Sequence, residues 1–301
     1  MQNRRIRNIE IFEDSVELMN ENTVLQRCIE ASITKQRLYL ETEAAEVSIP
    51  RKKEKHAKTV ISQKRSFEAA SKYARTGKKV CVLNFASAVN PGGGVTQGAS
   101  AQEECLCRCS TLYPCLNIEE MWKKFYGSHR AAGNPLYNDD CLYTPGVVVF
   151  KSDVSFPERM EEQDWYQVDV LTCAAPNLRE TMVEFVNSDT RKKSGKFENG
   201  RLYQLFSQRI ERIFRIAAVN WAEILVLGAF GCGAFCNPPE TVARVFRDVQ
   251  KKYDPYFETI EYAVFCSEYD TKNYTAFYRG FKEQKKENIF SGLVKKIHNG
   301  C

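Results

Sequence analysis

The sequence contains no apolar run near the ~20 residues that a bilayer-spanning helix needs. It has no apolar leader segment near its start. Although there are 12 cysteines, no two stand in a C-x-x-C pair. These absences argue against a secreted disulfide framework and for a soluble protein of the reducing cytoplasm. Two nucleotide fingerprints are also missing. Gly77-Lys78 is followed by Lys79 and has no upstream glycine at phosphate-loop spacing, and Gly92-Gly93-Gly94 followed by Gly98 does not make G-x-G-x-x-G, which disfavours a dinucleotide-cofactor site. No internal repeat or low-complexity segment is found.

What is present is the composition of a folded domain. The 301 residues are 43% hydrophobic and 27% charged, enough for a full core and unlike a disordered chain. The net charge of +5 is unevenly placed, in runs at Arg51–Lys58, Arg191–Lys193 and Lys295–Lys296. Such runs are first of all solvated surface, though a basic face favours a polyanionic substrate. Nucleic acid is thereby permitted without being supported.

Residues 1–60 read as a helical extension, with Ile9, Phe12, Val16 and Met19 on one side of a helix, and residues 61–301 as the main domain. A short strand is expected at Arg37–Thr42 and a surface connection through the basic run. A helix over Ser66–Arg75 ends at Gly77, and the apolar strand Lys79–Phe85 follows. Further helices are expected over Ala101–Leu112, Ile118–Phe125, Arg201–Val219, Glu240–Lys251 and Asn273–Phe281. Further strands fit Val147–Phe150, after a turn at Tyr143–Gly146, then Gln167–Ala175, Glu223–Leu227 and Thr259–Cys266. Asn187–Gly200 reads as a loop. The alternation predicts an α/β fold of three α/β/α layers, with a mostly parallel mixed sheet and a ligand at the carboxyl ends of its strands.

Two strand-to-helix turns are rich in glycine, Asn90–Gly98 and Gly228–Pro239. Glycines let the chain approach a ligand closely, and helix N-termini present unpaired N–H groups to anions. Two such turns favour a diphosphate held between them. The first leads into Ser100-Ala101-Gln102-Glu103-Glu104, where Ser100 and Glu103 match a capping box. Glu104 lies about 100° further round the helix and is left for proton transfer. The helix dipole favours its ionised form and burial its neutral one. Cys105, Cys107, Cys109 and Cys115, with Cys232 and Cys236, suggest zinc only superficially, because helical residues two apart point away from each other; no metal is expected. His56 and His129 have no nucleophile or carboxylate pattern around them.

Gly92-Gly93-Gly94, seven residues and Gln102-Glu103-Glu104 together resemble the GGG-x(6–8)-QEE signature of poly(ADP-ribose) glycohydrolases. The surrounding text is similar to their microbial branch within the macrodomain fold, over about Ser66–Phe281. Asn84-Phe85-Ala86-Ser87, Ala174-Ala175-Pro176-Asn177 and Gly228–Gly233 carry the likeness further. The resemblance implies hydrolysis of ribose–ribose O-glycosidic bonds without a cofactor, with Glu104 as acid/base and Glu103 on ribose hydroxyls. It implies that Asn90 orients the distal ribose, and that Gly231, Cys232, Gly233, Ala234 and Phe235 cradle the diphosphate, with Phe235 near the distal ribose. Asn84, Gly92, Gly93, Gly94 and Gln102 complete the expected substrate contacts. Glu103 and Glu104, adjacent on a helix, are expected to point apart rather than form the paired carboxylates of ordinary glycosidases. The implied partner is ADP-ribose or poly(ADP-ribose) on modified proteins, and the implied state a monomer. Two alternatives remain, an ADP-ribose-binding module without chemistry and a hydrolase of mono-ADP-ribosylated protein or nucleic acid.

Overall fold

The computed structural model describes residues 4–43, 56–179 and 199–282. The elements run in chain order as α1 (Arg4–Glu21), α2 (Thr23–Lys35), β1 (Arg37–Tyr39), β2 (Lys58–Ser62), α3 (Ser66–Ala74), β3 (Val80–Phe85), α4 (Gln102–Cys109) and α5 (Leu112–Leu116). Next comes α6, which passes from Glu119–Met121 through a π-helical turn at Trp122–Tyr126 into Gly127–Ala132. Then follow β4 (Cys141–Val149), β5 (Tyr166–Cys173), α7 (Asn199–Val219), β6 (Ile224–Leu227), α8 (Pro239–Tyr253), β7 (Thr259–Ala263) and a last helix, α9, over 272–282.

The seven strands form one sheet in the order β1-β4-β5-β3-β6-β7-β2. β5, β3, β6, β7 and β2 are parallel, while β4 runs antiparallel to both β5 and β1. The period-two alternation of strand side chains divides the core. Cys81, Leu83, Leu225 and Leu227 face α7, α8 and α9, whereas Val80, Val82, Ile224 and Val226 face α3, α4, α5 and α6. Both faces of the central strands are therefore buried, which is why they read as unbroken apolar runs. The result is the expected three-layer α/β/α fold with a mostly parallel sheet.

Several local expectations are corrected. The supposed turn at Tyr143–Gly146 is a bulge within the long strand β4, where the register shifts between Thr144 and Val147. There the N–H of Gly146 donates to the Asp169 carboxylate at 2.9 Å, so a side chain replaces a ladder bond. The helix expected over Ala101–Leu112 stops at Cys109, because Ser110 is extended and bridges to Val149. The helix expected to end at Phe125 continues to Ala132, where Gly133 closes it with φ +58°. The strand β2 was hidden by its half-buried edge position beside the basic run. Residues 44–55, and most of the loop expected at Asn187–Gly200, lie outside the described residues.

The first two helices are packed on the sheet rather than held away from it. Phe12 joins the core formed by α4 and α5, and the Asn8 amide donates to the Gly98 carbonyl at 3.0 Å. Ser15 Oγ reaches the Arg108 carbonyl at 2.7 Å. Lys151, only 1% exposed, donates to the Ile11 carbonyl at 2.7 Å and pairs with Asp14. Thus α1 grips both the first glycine turn and the helix after it. Asp14→Ala leaves the buried ammonium without its counter-ion and is expected to lower stability by about 1–3 kcal/mol, with Lys151→Met costing less. Urea denaturation reads this as a lower midpoint for Asp14→Ala; equal midpoints for that variant and the wild type would show that the ion pair holds nothing.

Candidate active site

β3 pairs with β6 only as far as Val82, while on its other side it pairs with β5 to Phe85. The two strands part there and open a crevice at the carboxyl ends of the sheet. Gln102, the first residue of α4, fills the gap in the ladder. Its Oε1 accepts from the Phe85 N–H at 2.8 Å, and its Nε2 donates to the Leu83 carbonyl at 2.8 Å and to Ser66 Oγ at 3.0 Å. This carboxamide takes the two groups that a neighbouring parallel strand would take, and fixes the start of α4 against β3.

The expected capping box is not formed. Ala101 is the N-cap and no side chain caps the helix. The Glu103 carboxylate is drawn inward instead, accepting from the Ser87 N–H at 2.7 Å and from the Asn84 amide at 3.2 Å. Asn84 also donates to Thr172 Oγ1 at 3.2 Å, so it braces the acid from the middle of the sheet. Glu104 Oε1 accepts from the Gly94 N–H at 2.9 Å, whereas its Oε2 is buried and has no partner among the described residues.

The two acids converge, contrary to the expectation that they point apart. A Cβ placed on Gly93 would stand 2.5 Å from Glu104 Oε1 and 3.2 Å from Glu103 Oε2, and Gly93 itself has φ +58°. Both carboxyls curl back under the same glycine, which helical spacing alone did not convey. Only glycine allows this backbone conformation and this closeness together. Glu103 and Glu104 are 2% and 7% exposed. Burial foremost pushes Glu103 up to about 8, against the opposing donors Ser87, Asn84 and Gly92. Burial thus shifts Glu103 towards its neutral form.

The second glycine turn stands across the crevice. Asn237 donates from Nδ2 to the Pro176 carbonyl at 2.7 Å and to the Gly231 carbonyl at 2.9 Å, locking the turn onto the end of β5. The N–H groups of Gly231, Gly233, Ala234 and Phe235 take no partner among the described residues, an arrangement suited to anionic oxygens. Cys232 is half-buried, and burial raises its thiol above the ordinary range. A cavity of about 470 Å³ lies beneath, lined by Arg65, Phe85, Gln102, Phe230, Phe235 and Phe265 among others. Glu103 and Glu104 are outside this lining, so the acids and the cavity adjoin through Gln102 rather than coincide. Asn90 lies on the exposed rim, where Arg130 donates to its side-chain oxygen and to the Val89 carbonyl.

Among the described residues the cysteines are all free thiols, and no group of three or more His, Cys, Asp or Glu is placed to hold a metal. No helix among them is long and apolar enough to cross a membrane. Sequence reasoning missed Ser66, Thr172, Asn237 and Arg130, which act through the groups they hold. Thr172 and Asn237 carry a sequence signal, a polar residue near the end of an apolar strand or in a glycine turn, whereas Ser66 and Arg130 carry none.

The site of this α/β protein is a glycine turn over two buried acids, facing a second turn of free N–H groups across a sheet crevice. Residues 9–152 match the family model of the microbial-type PARG catalytic domain. The whole fold is similar to solved structures of poly(ADP-ribose) glycohydrolase (PARG). The enzyme from Thermomonospora curvata is 28% identical with a TM-score of 0.78, over 92% of this chain and 100% of that one. The same protein bound to the inhibitor ADP-HPD is 28% identical with a TM-score of 0.76, over 91% and 99% of the two chains. The enzyme from Deinococcus radiodurans in complex with ADP-ribose is 28% identical with a TM-score of 0.72, over 85% and 98%. No curated protein matches significantly. The chain is thus similar to the microbial-type poly(ADP-ribose) glycohydrolases, in sequence pattern over residues 9–152 and in structure across nearly all of it.

The Glu103 carboxyl carries a pH signature. Its folded-state affinity for a proton exceeds that of the unfolded chain, so its contribution to stability is full below about pH 4.5 and is lost as pH rises towards 8. Glu103→Gln has no such loss. Its unfolding free energy, measured by urea denaturation, is expected to gain on the wild type progressively between those pH values, by a few kcal/mol in all. A gap that stays constant with pH would contradict a neutral, buried Glu103.

Proposed function

We propose that the protein is a poly(ADP-ribose) glycohydrolase, which hydrolyses the ribose–ribose O-glycosidic bond and releases ADP-ribose. The observation that carries this reading is the unequal pairing of the two acids under Gly93. Glu103 has both oxygens engaged, by Asn84 and by Ser87, whereas Glu104 has one oxygen held by Gly94 and the other unengaged. A group that must give up and recover a proton needs an oxygen free to meet its partner.

In this reading Glu104 Oε2 delivers a proton to the departing ribose oxygen as the bond to the anomeric carbon lengthens. The sugar carbon gains oxocarbenium character. Glu104, now a carboxylate, takes a proton from the attacking water and is restored. Neutral Glu103 can donate to or accept from ribose hydroxyls without adding a second negative charge beside the substrate's diphosphate. The diphosphate meets the free N–H groups of Gly231, Gly233, Ala234 and Phe235 and lends negative potential to the developing cation, while Gly92–Gly94 close over the distal sugar and Asn90 orients it. The cavity lined by Phe85, Gln102 and Phe235 is then available to the rest of the ADP-ribose. The relatives support the choice of ligand, since one binds ADP-ribose and another the inhibitor ADP-HPD. Modified proteins carrying the polymer are the partners this activity requires, and action as a monomer in the cytoplasm completes the proposal.

Incubation with poly(ADP-ribose) is expected to yield free ADP-ribose, blocked by ADP-HPD, and faster than release from mono-ADP-ribosylated protein. Binding of ADP-ribose without release from either substrate would instead identify a binding module. Faster release from the mono-modified protein would reassign the substrate.

A further inference from the structure

Arg108 is 2% exposed, yet it pairs with no carboxylate among the described residues. It stands one helical turn after Glu104 on α4, so the two side chains leave the same face of the helix. Its Nη1 donates to the Ala99 carbonyl at 2.6 Å and its Nη2 to Cys105 Sγ at 3.3 Å, while Nε is buried without a partner among the described residues. Burial foremost raises the Cys105 thiol, so the sulfur brings no negative charge to the guanidinium. A cation taken out of water without a counter-ion is costly. A charge placed at such a cost calls for a use.

The turn that Arg108 holds supplies one. Ala99 is bound at both of its backbone groups, since its carbonyl takes Arg108 and its N–H donates to the Gly94 carbonyl at 3.1 Å. Gly94 in turn donates its own N–H to Glu104 Oε1 at 2.9 Å. These bonds close a ring, from Glu104 through Gly94 and Ala99 to Arg108, and back along one turn of α4. Asn8 fastens the same segment from outside, through the Gly98 carbonyl at 3.0 Å. Within the ring, the place of Gly94 relative to Glu104 is set by the guanidinium four residues further along the helix.

We propose that Arg108 is a positioning residue for the reaction, which keeps the Gly94 N–H on Glu104 Oε1 and so leaves Oε2 free to exchange its proton with substrate and water. The inference rests on the glycohydrolase reading above. Arg108 is outside the lining of the cavity beside the acids, so it acts through Ala99 and Gly94 and touches no substrate atom. The role needs a guanidinium. Its planar fork reaches the Ala99 carbonyl and the Cys105 sulfur together, whereas a lysine offers a single point of donation.

The test measures two quantities for Arg108→Lys and Arg108→Ala, the single-turnover rate on poly(ADP-ribose) and the Kd for ADP-ribose by calorimetry. Each variant is expected to lower the rate by about 10–100-fold while Kd stays within about threefold of the wild type. A merely structural role would not separate the two. If neither variant folds, Asn8→Ala, which loosens the same segment at Gly98, decides by showing or lacking that separation. A wild-type rate in a folded variant, or a loss of affinity as large as the loss of rate, overturns the proposal. Wild-type protein that leaves poly(ADP-ribose) uncleaved overturns the glycohydrolase reading, and this inference with it.

Discussion

The Gln102 carboxamide is the contact on which the site depends. It stands in for a strand where β3 and β6 part, so it satisfies a backbone N–H and a backbone carbonyl that would otherwise be orphaned at the mouth of a crevice. In doing so it fixes the first turn of α4 relative to the sheet. Glu103 and Glu104 follow it directly in the chain, and their position is set by that one anchor. The glutamine is thus a structural part whose effect is felt one and two residues later.

With the helix start fixed, the glycine turn above it determines how the acids behave. Gly93 is close enough to both carboxyls that a single added carbon would collide with Glu104. The carboxyls occupy the space such a side chain would have taken, and backbone N–H groups of Gly94 and Ser87 reach them there. They leave the two acids chemically unequal, one engaged and shifted towards its neutral form by burial, the other with a free oxygen. A local conformational freedom of the backbone is therefore converted into a division of labour between adjacent residues. α1 supports the same region from outside through Asn8 and Ser15.

Much of this was legible in the sequence, for physical reasons. Strands buried on both faces read as apolar runs, so β3, β5, β6 and β7 were placed to within a few residues. Glycine-rich turns after such strands marked the crevice, and the QEE run marked the helix below it. What was not legible depended on long-range partners. Ser100 and Glu103 satisfy the local pattern of a capping box, yet Ser87 and Asn84, closer in space than in sequence, take the carboxylate instead. The convergence of Glu103 and Glu104 follows from side-chain torsions that a helical wheel ignores. Arg130 lies outside every motif, and its bond to Asn90 appears only when α6 and the first turn are brought together.

The account's central claim is that Glu104 transfers the proton while Glu103 holds the sugar. Single-turnover hydrolysis of poly(ADP-ribose) by Glu103→Gln and Glu104→Gln, each paired with its Kd for ADP-ribose, tests it most directly. The account predicts that Glu104→Gln lowers the chemical rate by about 10²–10⁴ and leaves Kd near that of the wild type, whereas Glu103→Gln weakens binding and retains more of the rate. A Glu104→Gln variant that still cleaves at the wild-type rate, beside a Glu103→Gln variant that does not, would contradict it.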